Sequence, residues 1–400
     1  MATLIYAVSG EGRGHATRAR AVIDELRSEH EVQVYTYGQG AELLRLIYRG
    51  TDVEVRELSG LHFCYSQGGS LDYLRTGAAA LPFLRALPER LLTYIVTFTC
   101  NARCVMCDSW RKPSDDLSLA ENERIFSQLP ELDAVRLSGG EPFVRKDLPQ
   151  IVELVRKQLS PLVLHITSNG FLTDRIVQLC ETRDRSLPLQ LLISIDGVGD
   201  KHDRVRGIAH AYDRALATVR ELAPRQRELR VKLAVNQTIV DRESIEHYHM
   251  LKSVVAELGV KNHLIIAYAE SATYSIRERH TVQPRFPGEL QTFGEFTPSE
   301  LQALLTAAED DLADYPLPER LAKQYYIDGA RSRLLERKRA RTPRCVALSS
   351  HMRLLPDGSV PTCQFNTTPA GNLREQSFAE VWQSALAETQ RKWVRACPGC

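Results

Sequence analysis

From Thr93 to Tyr268 the chain alternates between short apolar runs and amphipathic ones, six times over. The apolar runs are TYIVTF, AVRLS, LVLHIT, LQLLISI, VKLAV and HLIIAY. The segments between them are LAENERIFSQL, LPQIVELVRKQL, DRIVQLCETR, YDRALATVREL and ESIEHYHMLKSVVAEL. Apolar strands separated by amphipathic helices predict a parallel sheet with helices as its cover. Six such units curl into a partial barrel, an α/β fold of (β/α)6 TIM-like type over about residues 93–300. Capping boxes support the helix starts: Ser118 with Glu121, and Thr297 with Pro298 and Glu300 before SELQALLTAAEDDL. In barrels of this kind the chemistry lies at the C-terminal ends of the strands.

The first of those ends carries Cys100, Cys104 and Cys107, in Cys-x3-Cys-x2-Cys spacing. Three thiolates on one short loop can hold three corners of an iron–sulfur cube and leave the fourth iron open to a ligand. Zinc usually asks for a fourth ligand and paired Cys-x2–4-Cys knuckles, and a disulfide asks for an oxidising compartment. No basic leader with a long apolar stretch opens the chain, and no run approaches the ~18 apolar residues of a membrane span. The expected location is therefore cytoplasmic, where the nine cysteines are not expected as structural disulfides. Cys64 and Cys180 fall outside the two cysteine clusters and read as buried free thiols. A net charge of +1 gives no sign of nucleic acid or anionic membrane as partner.

The second strand ends at Ser138-Gly139-Gly140-Glu141-Pro142, and the third at Thr167-Ser168-Asn169-Gly170. The fourth ends at Ser194-Ile195-Asp196-Gly197 and leads into His202-Asp203-Arg204-Val205-Arg206-Gly207. With these motifs in this order, residues 93–275 resemble the radical S-adenosylmethionine (SAM) superfamily. The resemblance implies a [4Fe-4S] cluster on Cys100, Cys104 and Cys107, with SAM chelating its fourth iron. It implies that Gly139, Gly140 and Glu141 bind the methionine amino group. It also implies that Ser168, Asn169, Ser194 and Asp196 contact the ribose and carboxylate, and that Arg206 pairs with the cofactor carboxylate. Asn236, at the end of the fifth strand, is a further candidate. Met106 stands where the family often has an aromatic residue, and a soft apolar side chain packs there equally well.

Cys345, Cys363, Cys397 and Cys400 form the second cluster, around a Pro356-Asp357-Gly358 hairpin turn and a Cys-x2-Cys pair. Four thiolates suit zinc. Beside such a core, however, the segment resembles the SPASM and twitch extensions, which carry auxiliary [4Fe-4S] clusters. Four cysteines satisfy a twitch-type single cluster.

Residues 1–90 begin with the strand LIYAVS, the turn Gly10-Glu11-Gly12-Arg13-Gly14-His15 and the helix ATRARAVIDELRSE, followed by EVQVYTY and AELLRLIYR. This short Rossmann-like segment resembles the N-terminal end of a GT-B glycosyltransferase. A helical joint is expected at 77–92. A charged, solvent-facing helix is expected at LPERLAKQYYIDGARSRLLERKRAR, within a connector at 301–340, and a small cysteine-rich domain at 341–400. The expected activity is reductive cleavage of SAM, followed by hydrogen-atom abstraction from a peptide or a carbohydrate or cell-envelope metabolite. Reduced flavodoxin or ferredoxin is the electron donor implied by the resemblance. Two other classes compete: a GT-B transferase or nucleotide-sugar-binding protein with passenger metal domains, and a non-catalytic metal-binding protein.

Overall fold

The computed structural model describes residues 3–8, 13–36, 38–57, 90–269, 271, 273–275, 291–338 and 345–397. The Gly10–Gly12 turn, the joint expected at 77–92 up to residue 89, Cys64 and Cys400 lie outside them. The chain divides into two compact units, Met1–Pro88 and Glu89–Cys400.

The first unit is a three-stranded parallel sheet, β1 (Thr3–Ala7), β2 (Glu31–Thr36) and β3 (Glu54–Glu57), in that order. Helices Arg13–Leu26 and Gly38–Ile47 alternate with the strands. Ala16, Ala19 and Ile23 of the first helix and Leu44 of the second bury themselves with Val32 and Val34 of β2. The i, i+3, i+7 spacing on the first helix is what a one-sided apolar stripe needs.

The second unit is built on a seven-stranded sheet. Its strands are β4 (Leu91–Ile95), β5 (Ala134–Ser138), β6 (Val163–Ser168), β7 (Leu189–Ser194), β8 (Val231–Ile239), β9 (Lys261–Ile266) and β10 (His351–Leu354). Every pairing is parallel, in the order β10-β4-β5-β6-β7-β8-β9. The first six strands run in chain order, as the alternation requires, which is the layout of a partial TIM-like barrel. Both capping boxes form, at Ser118/Glu121 and Thr297/Glu300, and a third caps the helix Phe378–Trp382 through Ser377 and Glu380. The main core lies between the sheet and its helices, with Leu92, Val135, Leu164, Leu189 and Val231 against Ile125, Ile151, Ile176 and Val219.

Two features depart from the sequence expectations. β10 comes from the cysteine-rich segment, yet it extends the barrel sheet on the free edge of β4, with His351 opposite Leu91 and Leu354 opposite Tyr94. The Pro356-Asp357-Gly358 turn does form, with Gly358 N–H donating to the Leu355 carbonyl (3.1 Å). Beyond the turn, β11 (Ser359–Pro361) pairs with β12 (Pro369–Asn372). The helix Leu317–Leu334 is not wholly solvent-facing. Ile327 and Ala330 are buried against Leu304 and Leu305 of the helix Pro298–Asp310, with Ile239 and Ile266 from the sheet. Its dense charge hid a short apolar stripe in the sequence.

Candidate SAM and cluster site

The cysteine loop follows β4 and is held from several sides by backbone. Gly140 N–H donates to the Thr97 carbonyl (2.8 Å) and Glu141 N–H to that of Thr99 (3.0 Å). On the other flank Arg103 N–H donates to the Arg206 carbonyl (2.8 Å) and Val105 N–H to that of Val205 (3.0 Å). Asp108 N–H reaches the Tyr274 carbonyl (3.0 Å), and the Asn169 amide donates to Asn101 Oδ1 (2.7 Å). The loop is therefore fixed by the residues that follow β5 and β6, by the end of the helix Asp200–Arg206 after β7 and by the segment after β9.

The glycines make these approaches possible. A Cβ on Gly140 would fall 2.4 Å from the carbonyl oxygens of Phe98 and Thr99, and one on Gly139 (φ +149°) 2.3 Å from that of Thr97. Those neighbours are backbone and cannot swing aside. Gly207 (φ +63°) has the same role on the other flank, where a Cβ would meet the Arg103 carbonyl oxygen at 2.5 Å.

A cavity of about 190 Å³ opens where these segments meet. Cys100, Cys104 and Cys107 line it, with Gly139, Gly140, Ser168, Asn169, Ser194 and Arg206. Ser138, Thr167 and Tyr274 are also in its wall, and sequence reasoning did not single them out. Tyr274 lies beyond β9 with no local motif around it, so no sequence signal marks it. Asn101 stands inside the cysteine loop, and its position was the only available clue.

Glu141 and Asp196 are fully buried and stand behind the wall. Glu141 accepts from Phe143 N–H (3.0 Å), the Ser168 hydroxyl (2.9 Å) and Asn169 N–H (2.6 Å). It thus fixes the turn that presents Ser168 and Asn169 to the cavity. Asp196 accepts from Thr238 N–H (3.0 Å), and its own N–H donates to His202 Nδ1 (2.9 Å). Arg206 Nε lies 2.7 Å from Asp196 Oδ2, a charge contact without hydrogen-bond alignment, and Arg206 Nη1 lies 3.6 Å from Cys104 Sγ. Burial works against the Arg206 charge, and Asp196 with the Cys104 sulfur outweighs it, so its pKa is raised. Asn236 is paired in register with Ser194, beside the cavity.

Burial pushes Glu141 up to about 7, against the opposing pull of its three donors. The folded chain therefore holds a proton that the unfolded chain releases. The stability this provides is complete below the ordinary value of 4.5 and is lost as pH rises through about 7. Relative to Glu141→Gln, the wild-type protein is expected to lose on the order of 3 kcal/mol between those two limits. Urea unfolding of both proteins across this window checks it, and parallel pH profiles would refute it.

The thiols fit an iron–sulfur cube. Burial pushes Cys100 up to about 12 and Cys107 up to about 11, and it raises Cys104 as well. Such thiols keep their protons unless a metal displaces them. Donors already face the sulfurs: Ala102 N–H at Cys100 (3.4 Å), Ser109 N–H at Cys107 (3.4 Å) and the Arg206 guanidinium at Cys104. Among the described residues no three His, Cys, Asp or Glu side chains gather on a point fit for one metal ion. The three thiols instead share the wall of a cavity large enough for a multi-metal centre.

In the C-terminal segment Cys345 is exposed, and Cys363 and Cys397 are half-buried. Surrounding protein pushes the Cys345 thiol up, and the nearby Cys397 adds to this. Cys363 N–H donates to the Asn366 carbonyl (3.0 Å). The next carbonyl, of Gln364, accepts from both the N–H and the hydroxyl of Thr273 (3.0 Å each). Thr273 is the immediate chain neighbour of Tyr274 in the cavity wall.

Three family models match the chain: the radical SAM superfamily over residues 94–254, an iron–sulfur cluster-binding domain named SPASM over 345–400, and glycosyl transferase family 1 over 2–97. Among curated proteins, an Fe-coproporphyrin III synthase of Methanosarcina barkeri (strain Fusaro) is 24% identical, covering 73% of this chain and 73% of that protein. An AdoMet-dependent heme synthase of the same organism is 27% identical, covering 74% of this chain and 82% of that protein. Among solved structures, Streptococcus suis SuiB shares the fold, with a TM-score of 0.52 at 15% identity over 78% of this chain and 71% of SuiB. The fold and the matches define an iron–sulfur protein with a radical SAM core. Residues 94–254 are similar to the radical SAM superfamily, residues 345–400 to the SPASM iron–sulfur cluster-binding domain and residues 2–97 to glycosyl transferase family 1.

Proposed function

We propose that the chain cleaves SAM reductively and uses the outcome to take a hydrogen atom from a substrate. The observation that supports this best is the convergence of Cys100, Cys104 and Cys107 with Gly139, Gly140, Ser168, Asn169, Ser194 and Arg206 on one cavity at the C-terminal strand ends. When bound, the cluster and SAM supply one-electron cleavage of a carbon–sulfur bond and the hydrogen abstraction. The three thiolates hold the cluster. Gly139 and Gly140 leave room for the methionine end of SAM, and Ser168, Asn169 and Ser194 offer it polar contacts. Glu141 and Asp196 act from behind, the first by fixing the Ser168–Asn169 turn and the second by holding Arg206. Cys345, Cys363, Cys397 and Cys400 would hold an auxiliary [4Fe-4S] cluster. A reduced flavodoxin or ferredoxin in the cytoplasm would supply the electron. The names of the two relatives support adding a tetrapyrrole to the peptide and carbohydrate substrates considered from the sequence.

The test is anaerobic purification, iron and sulfide counts, and addition of SAM with dithionite. Release of 5′-deoxyadenosine is expected. A protein loaded with about four irons per cluster that releases none overturns the reading.

A further inference from the structure

Side chains alternate between the two faces of a strand, so a register row across a sheet lies on one face. In the barrel sheet the row Met352, Leu92, Val135, Leu164, Leu189 and Val231 is wholly apolar and faces the helices. The next row, one residue on, faces the barrel interior. Packed barrel interiors are dominated by branched apolar side chains, but this row reads Arg353, Thr93, Arg136, His165, Gln190 and Lys232 across β10, β4, β5, β6, β7 and β8. Every member is polar. Arg136 precedes Ser138, and His165 precedes Thr167, by two residues, and both Ser138 and Thr167 line the SAM cavity. At about 3.3 Å per residue, the row lies one layer, roughly 7 Å, beneath that cavity.

The row is also positive. Lys232 contacts Glu319 of the helix Leu317–Leu334. Arg136 and Arg353 have no carboxylate and no hydrogen-bond partner among the described residues, and Arg353 Nε is buried. Partial desolvation by the surrounding barrel wall, and then Arg353, pull the Arg136 pKa down, while Tyr274 pulls the other way. His165 and His351 are both pushed down to about 4 by burial and neighbouring cations, so they are neutral near pH 7 and add no repulsion. Arg136 keeps an exposed side chain, and Tyr274 of the cavity wall feels both arginines. The two like charges repel each other, and neither guanidinium gives the fold an ion pair among the described residues. A guanidinium fork is, however, well shaped for a carboxylate or a phosphate.

We propose that this row is the substrate floor, and that the substrate carries an oxyanion, a carboxylate or a phosphate, held by Arg136 and Arg353 beneath the SAM cavity. The inference rests on the radical SAM reading of that cavity.

The test uses the anaerobic holoenzyme with tricarballylate and pyrophosphate as separate probes, titrated by calorimetry. At least one probe is expected to bind, and the one that binds tells carboxylate from phosphate. Arg136→Gln and Arg353→Gln should each weaken it tenfold or more, and Arg136→Lys should weaken it less. Lys157→Gln, on the exposed outer surface, should not change it. In the wild-type protein the bound probe should also shield Arg136 and Arg353 from phenylglyoxal, a readout that needs no variant to fold. Binding of neither probe, or binding unchanged in both glutamine variants with both arginines unshielded, overturns the inference. Release of 5′-deoxyadenosine by the same wild-type preparation separates the two readings. Release without arginine-dependent anion binding sinks only the substrate floor, whereas no release sinks the reading beneath it.

Discussion

Replacing Cys100, Cys104 and Cys107 together by alanine is expected to remove about four irons per chain and to abolish release of 5′-deoxyadenosine from SAM. The reason is geometric. All three thiols line the same cavity, and no other cysteine among the described residues does. Iron bound at the proposed auxiliary site should survive the change, because β10 and the turn around Cys363 are fixed by contacts that do not involve these thiols. Iron and sulfide analysis with electron paramagnetic resonance on the reduced variant checks both halves. A triple variant with the wild-type iron count and wild-type SAM cleavage would remove the site from this cavity.

Arg206→Met is expected to destabilise the Glu89–Cys400 unit by about 3–5 kcal/mol. Arg206 and Asp196 are 9% and 0% exposed, so the variant leaves a carboxylate buried without its cation. The Thr238 N–H that remains is one neutral donor. The double variant Asp196→Asn with Arg206→Met should recover much of the loss, because the orphan charge goes with its partner. Urea unfolding of the three proteins reads the difference. A single variant within 1 kcal/mol of wild type would mean that the pair carries little of the fold. SAM affinity should fall in both variants, since each removes the guanidinium from the cavity wall.

The barrel and the outline of the candidate site were legible in the chain because both rest on local signals. Strands and helices alternate with periods that the sequence displays, and the capping boxes at Ser118 and Thr297 need only residues three apart. Cys100, Cys104 and Cys107 share one loop, and the Gly-Gly, Ser-Asn and Ser-Ile-Asp motifs fall at successive strand ends. Parallel order in the sheet then brings them together with no further information.

What the sequence could not show depends on register and on contacts between distant segments. Glu141 and Asp196 look like ligands in the sequence. Only the packed structure turns them behind the wall, where they hold the residues that face the cavity. Tyr274 is brought to the site by long-range contacts, its carbonyl accepting from Asp108 N–H. β10 pairs with β4 across some 260 residues of chain (His351 with Leu91), and the edge that β4 leaves open decides where it goes. The basic row is the sharpest case. Arg136, His165, Gln190 and Lys232 each look like an isolated polar residue in an apolar strand. They become one surface only when hydrogen bonding between strands fixes which residues stand side by side, and that alignment is long-range by nature.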